Sequence, residues 1–177
     1  MSIFFKPRFE PESPMERRPF LWKITDDESS TPLTRLPPIC LTYHALEKMY
    51  AYVDLYPNEI SGLGMVESLA DGTQCVTDII LPRQSGNTGG HTDFTEHQVE
   101  LMMELDALGI DMGKLRFWWH SHVNMAVNWS TIDDQTARSF GADYMISVVA
   151  NKRHQLRCRI DVKKPFCLCP KLKIRKL

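Results

Sequence analysis

The stretch Lys114–His122, KLRFWWHSH, with its continuation Val123–Asp133, VNMAVNWSTID, decides how this chain is read. Leu115, Phe117, Trp118 and Trp119 leave the first segment no polar face, which predicts a strand buried on both sides. It ends on His120 and His122, separated by one residue. Side chains two apart on a strand share a face, so these imidazoles can converge on one ion. They stand where the chain leaves the sheet, a place where sites commonly open. Seven residues later comes Ser130-Thr131-Ile132-Asp133. This Ser-x-x-Asp run is close to a capping box, with Ser130 as N-cap of the next helix. A capped start also fixes where the Asp133 carboxylate points. Two strand histidines and a carboxylate from a rigid first turn form a three-ligand zinc set with one position open to water.

Outward from this stretch the pattern predicts one domain. Ile39–Thr42 reads as a strand and Thr42 as the cap of a helix over 43–55, where Leu46, Met49, Tyr50 and Val53 form one apolar stripe before Pro57. Two strands follow, Glu59–Ser68 and Thr73–Leu81, joined by an Asp71–Gly72 turn. Gln84–Gly90 is a polar, glycine-bearing loop, and Thr95–Leu108 a second helix stopped by Gly109 and Gly113. A helix over Thr131–Phe140 and strands over Tyr144–Asn151 and Gln155–Val162 complete the set. Interleaved strands and helices predict an α/β fold of the α+β kind, a mixed sheet with helices packed against it.

Composition bounds the rest. At 177 residues there is room for one domain plus an arm, and none for a TIM barrel. The apolar and charged shares, 43% and 24%, are those of an ordinary globular protein. Seven of the eleven prolines fall within the first 38 residues. Residues 1–35 therefore read as a proline-rich arm, with a short strand over Phe20–Thr25, followed by a domain over 36–165 and a basic tail over 166–177. From Lys163 onward there are six basic residues and no acid, so the remaining 15 basic residues face all 22 acidic ones, a balance of −7. An acidic body disfavours nucleic acid and suits a basic protein substrate, and the tail reads as a solvated one. No apolar run spans a membrane and Met1–Phe9 holds no secretory core. Five cysteines without CxxC spacing fit a reducing cytoplasm better than a disulfide framework.

Water activated by zinc still needs a base to take its proton. An upstream carboxylate beside a partly buried strand suits that role, and Glu59, in Asn58-Glu59-Ile60-Ser61-Gly62, is the candidate. Taken alone, Glu59 is a solvated strand-end acid and Ser130–Asp133 a helix cap. Together they are more. Glu59, then His120-Ser121-His122, seven residues, Ser130 and Asp133, resemble the JAMM (MPN+, Mov34/JAB) metalloprotease pattern, H-x-H-x7-S-x-x-D with an upstream Glu. Trp119, Trp129 and Thr136 match its flanks, and the likeness covers about residues 37–162.

The resemblance implies an MPN/JAB-like fold, a cytidine-deaminase-like curved central sheet flanked by helices. It also implies a zinc isopeptidase, deubiquitinase-like, that frees a ubiquitin-like protein from lysine amines or C-terminal extensions. By position, His120, His122 and Asp133 would hold one Zn2+, and Glu59 would be the general base. Ser130 would donate a hydrogen bond to the tetrahedral oxyanion, a contribution of ~3 kcal/mol for donors of this kind. The implied partners are ubiquitin-like proteins or their conjugates, with E1- and E2-like enzymes beside them, and neither nucleic acid nor membrane. Val123 stands where the family usually has Pro. About ten residues separate Asp133 from the next strand, so this resembles the compact prokaryotic or phage branch. Such relatives remove conjugates, trim sulfur-carrier precursors, serve phage tail assembly or antiviral defence, or, lacking the metal set, act as non-catalytic scaffolds. Gln84–Thr95 occupies the position where relatives clamp the tail of ubiquitin by strand addition.

Other metal folds fit less well. Met125, Ala126 and Val127 stand where a cupin would want Glu, and Asn124 and Met125 where a metallo-β-lactamase would want Asp and His. His44, His91, His97 and His154 carry no ligand spacing and read as surface or satisfied polar positions. Trp118, Met102 and Met103 read as core. Cys167-Leu168-Cys169 is a weak metal candidate.

Overall fold

The computed structural model describes residues 22–25, 37–84, 98–163 and 173–176. The elements are β1 (Trp22–Thr25), β2 (Ile39–Leu41), α1 (Tyr43–Leu55), β3 (Ser61–Ser68), β4 (Gln74–Ile80), α2 (Gln98–Ala107), β5 (Leu115–Ser121), α3 (Thr131–Ser139), β6 (Tyr144–Ala150), β7 (Leu156–Val162) and β8 (Lys173–Lys176). A 3-10 turn, Met112–Lys114, leads into β5. The eight strands form one mixed sheet in the order β7-β6-β5-β3-β4-β2-β1-β8. Only β5/β6 and β2/β4 pair in parallel. β7 and β8, at opposite ends of that order, approach each other, so the sheet curls.

Alternation on β5 divides the core in two. Phe117 and Trp119 point to one face, where they join Met49 and Val53 of α1 with Ile79, Ile146 and Val148. Trp118 points to the other, with Leu101 and Leu105 of α2 and Ala137 of α3. α1 holds its place because Thr42 Oγ1 caps it, accepting the Ala45 N–H at 3.1 Å, and because Ala45, Met49 and Val53 form its buried stripe. The face bearing Trp118 also bears His120, and it is the one α3 covers.

These elements agree with the sequence expectations to within a few residues. The expected hairpin turn is present, with Gly72 at φ +84. Two expectations change. Met103, expected in the core, is 69% exposed on α2. Lys173–Lys176, expected as solvated tail, is a strand paired antiparallel with β1, where backbone pairing outweighs the weak strand propensity of a lysine-rich run. Apart from β1, the N-terminal arm lies outside the described residues, as do 85–97, including His91 and His97, and Cys167 and Cys169. Among the described residues no helix is long and apolar enough to cross a membrane.

Candidate metal centre

The site grows from the β3–β5 ladder. Ser61 lies opposite His120, and the ladder continues one step further through the Ser121 N–H, donated to the Ile60 carbonyl at 2.8 Å. Ser121 Oγ accepts the Ile60 N–H at 3.1 Å. Glu59 directly precedes Ile60 at this end of the ladder, and its charge acts on His122. Gln84 locks the start of β3 from the other side: its carboxamide accepts the Ser61 N–H at 3.1 Å and donates to the Ser61 carbonyl at 2.7 Å. Ser61 Oγ accepts the Trp118 indole N–H at 2.8 Å and donates to the Trp119 carbonyl at 3.0 Å.

α3 brings the third ligand. Its cap is a reciprocal box: Ser130 Oγ accepts the Asp133 N–H at 3.2 Å, and Asp133 Oδ2 accepts the Ser130 N–H at 2.6 Å. That leaves Asp133 Oδ1 facing His120 Nε2 at 3.1 Å, while Oδ2 lies 3.7 Å from His122 Nε2. The two Nε2 atoms are 3.2 Å apart. One ligand atom from each of the three residues lies within 4.8 Å of the others. His120 and Asp133 are 6% and 9% exposed, so this is a buried cluster rather than a solvated acidic patch.

The donor set fits a cation. His122 Nδ1 lies 2.9 Å from the Ala126 carbonyl, which can only accept, so Nδ1 carries a proton and Nε2 is free to ligate. Burial pushes the His120 imidazole below its ordinary value, against the upward pull of Asp133. Hydrogen bonding to Asp133 lifts His122, and the charge of half-buried Glu59 adds to that lift. Burial alone would raise the Asp133 carboxyl, but hydrogen bonds from both imidazoles and the Ser130 N–H hold it well below the usual carboxylate range. Without a metal, the Asp133 carboxylate favours a proton on His122. A divalent cation can take that proton's place.

Side chains around the centre hold it in shape. The Trp118 ring stacks on His120 with centroids 4.7 Å apart, and Trp129 lies 5.6 Å from the same imidazole. The loop after His122 turns at Val123, whose φ of +47 is unusual for a β-branched residue. The β6–β7 hairpin grips that loop: the Lys152 N–H donates to the Val123 carbonyl at 2.7 Å, the Asn151 amide to that of Met125 at 2.9 Å, and the Arg153 guanidinium to that of Asn124 at 2.6 Å. Beneath α3, the buried Arg159 of β7 donates to Asp134 at 2.6 Å, and Ser147 Oγ donates to Asp161 at 2.7 Å.

All five expected site residues fall in this one region of the fold: His120, His122 and Asp133 in contact, Ser130 capping the helix, and Glu59 near enough for its charge to act on His122. Sequence reasoning missed Ser61, Gln84, Trp129 as a neighbour of His120, and Arg159. Strand parity could have found Ser61. Nothing local could have found Gln84 or Arg159, whose partners are remote in the chain. His44 is exposed, and His154, also exposed, sits 3.0 Å from Asp54 and stacks on Tyr50.

No protein-family model matches this sequence, and no curated protein does. In fold, the chain is similar to the solution structure of protein DSY2949 from Desulfitobacterium hafniense, with a TM-score of 0.54, 16% identity, and coverage of 78% of this chain and 90% of that one. At that identity the likeness extends to the fold alone: a mixed sheet flanked by helices.

Proposed function

We propose that this chain is a zinc-dependent isopeptidase of the JAMM (MPN+) type, with the MPN/JAB-like curved sheet of that family. It hydrolyses the bond between the C-terminus of a ubiquitin-like protein and a lysine amine or a C-terminal extension. The observation that carries this reading is the convergence of ligand atoms from His120, His122 and Asp133, with the charge of Glu59 acting on His122. His120, His122 and Asp133 would hold the ion, and bound zinc lowers the pKa of a water to about 7. Glu59 accepts the proton of the attacking water and returns it to the leaving amine. Ser130 Oγ uses its lone pairs on the Asp133 N–H, which leaves its O–H to donate to the oxyanion. No side chain need attack, so the reaction has no covalent intermediate. The buried thiol of Cys158 supports a reducing, cytoplasmic setting. Val123 marks the departure from the family pattern, since proline cannot adopt its positive φ.

The test is cleavage of a panel of ubiquitin-like conjugates and C-terminally extended precursors by zinc-loaded protein. Glu59→Ala is expected to lose cleavage while retaining one zinc per chain, because the base is not a ligand. Intact conjugates and precursors across the whole panel with fully loaded protein would overturn the proposal.

A further inference from the structure

Arg159 is 7% exposed, and a buried cation needs partners that fix it. It sits in a row across three strands: Arg159 pairs with Ser147 on β6, which pairs with Trp118 on β5, so all three share the face of His120. Its Nε lies 3.1 Å from the Asp161 carboxylate, which Ser147 Oγ in turn anchors at 2.7 Å. From that footing the guanidinium makes two more contacts. Nη1 donates to Asp134 Oδ1 at 2.6 Å, and Cζ lies 4.0 Å from the Trp129 ring centroid. Trp129 directly precedes Ser130, and Asp134 directly follows Asp133. One planar cation therefore grips the Ser130–Asp133 cap from both ends, and the Trp129 ring carries that grip to His120.

We infer that Arg159 is the positioning residue of this centre, setting the Asp133 carboxylate and the His120 ring in ligating geometry through Asp134 and Trp129. The inference rests on the metal-binding part of the proposed function. Arginine suits the task because its rigid fork can bridge two carboxylates while its flat face stacks on an indole.

The test measures zinc affinity by chelator competition and the visible absorption of the Co2+-loaded protein, with thermal melting of the metal-free form as control. Outer partners of metal ligands typically change affinity by about 10- to 100-fold. Arg159→Met is expected to weaken zinc by that much and to alter the Co2+ spectrum, and Arg159→Lys to restore only part of the loss. Should Arg159→Met fail to fold, Asp134→Asn carries the test, since the Asp134 side chain is 42% exposed and its loss leaves no buried charge unpaired. It is expected to weaken zinc several-fold with near-normal melting. Wild-type zinc affinity and an unchanged Co2+ spectrum in the folded variants would overturn this inference and leave the proposed function standing. A wild-type protein that binds no zinc would overturn both.

Discussion

Gly62 tests how tightly the base-bearing strand is pressed against the ligand-bearing one. A Cβ at this position would lie 2.6 Å from the Ile80 carbonyl oxygen and 2.6 Å from Trp119 Nε1. Ordinary contacts are nearly 1 Å longer, and neither neighbour can retreat. Ile80 contributes backbone from a paired strand, and Trp119 is wholly buried in the core beside α1. Gly62→Ala must therefore spread β3 from β4 or β5. Overpacking of this kind costs about 1–3 kcal/mol. For a chain of this size each kcal/mol lowers Tm by about 2–4 °C, so the expected drop is about 2–12 °C by circular dichroism. Ser61 and Glu59 lie directly upstream, so catalysis should fall with stability. Gly141→Ala is the control: nothing lies within 4 Å of its added Cβ, and the change should be neutral or slightly stabilising. A Gly62→Ala protein melting with the wild type would refute the packing argument.

Val123→Asn should raise Tm by about 2–4 °C, because a β-branched residue at φ +47 stores about 1 kcal/mol that asparagine largely avoids. Val123→Pro, though it restores the family's usual residue, should lower Tm, since proline fixes φ near −65°. Zinc affinity should fall as pH drops through the raised pKa of His122, which lies above 6.5, because the ion must displace the proton held there. Calorimetry in buffers of different ionisation enthalpy should show proton release on binding below that pKa, and its absence would contradict the assignment. In metal-free protein the same raised pKa stabilises the fold fully below 6.5, and that contribution is lost as pH rises through the folded value.

The centre was legible because its geometry is local. Alternation along β5 puts His120 and His122 on one face, and a capping box ties the Asp133 carboxylate to the Ser130 N–H. Glu59 was harder, since its place beside the ligands depends on a strand pairing across a long intervening chain; the only local signal was an acid standing before an apolar strand. Arg159 and Gln84 were invisible because each acts through contacts that only the folded sheet creates. β8 escaped for a different reason: Lys173-Ile174-Arg175-Lys176 has the charge of a tail, and its partner, β1, lies at the other end of the sequence. Met103 misled because α2 buries Leu101 and Leu105 and turns Val99 and Met103 outward, a distinction weak periodicity does not make.

X-ray absorption at the zinc edge, on protein carrying one equivalent, reads out whether two imidazoles and a carboxylate hold one divalent ion. The expected shell holds two imidazole nitrogens and oxygens near 2.0–2.2 Å, no sulfur near 2.3 Å, and loses one imidazole in His122→Ala. A shell containing thiolate sulfur, or one that His122→Ala leaves intact, would contradict it.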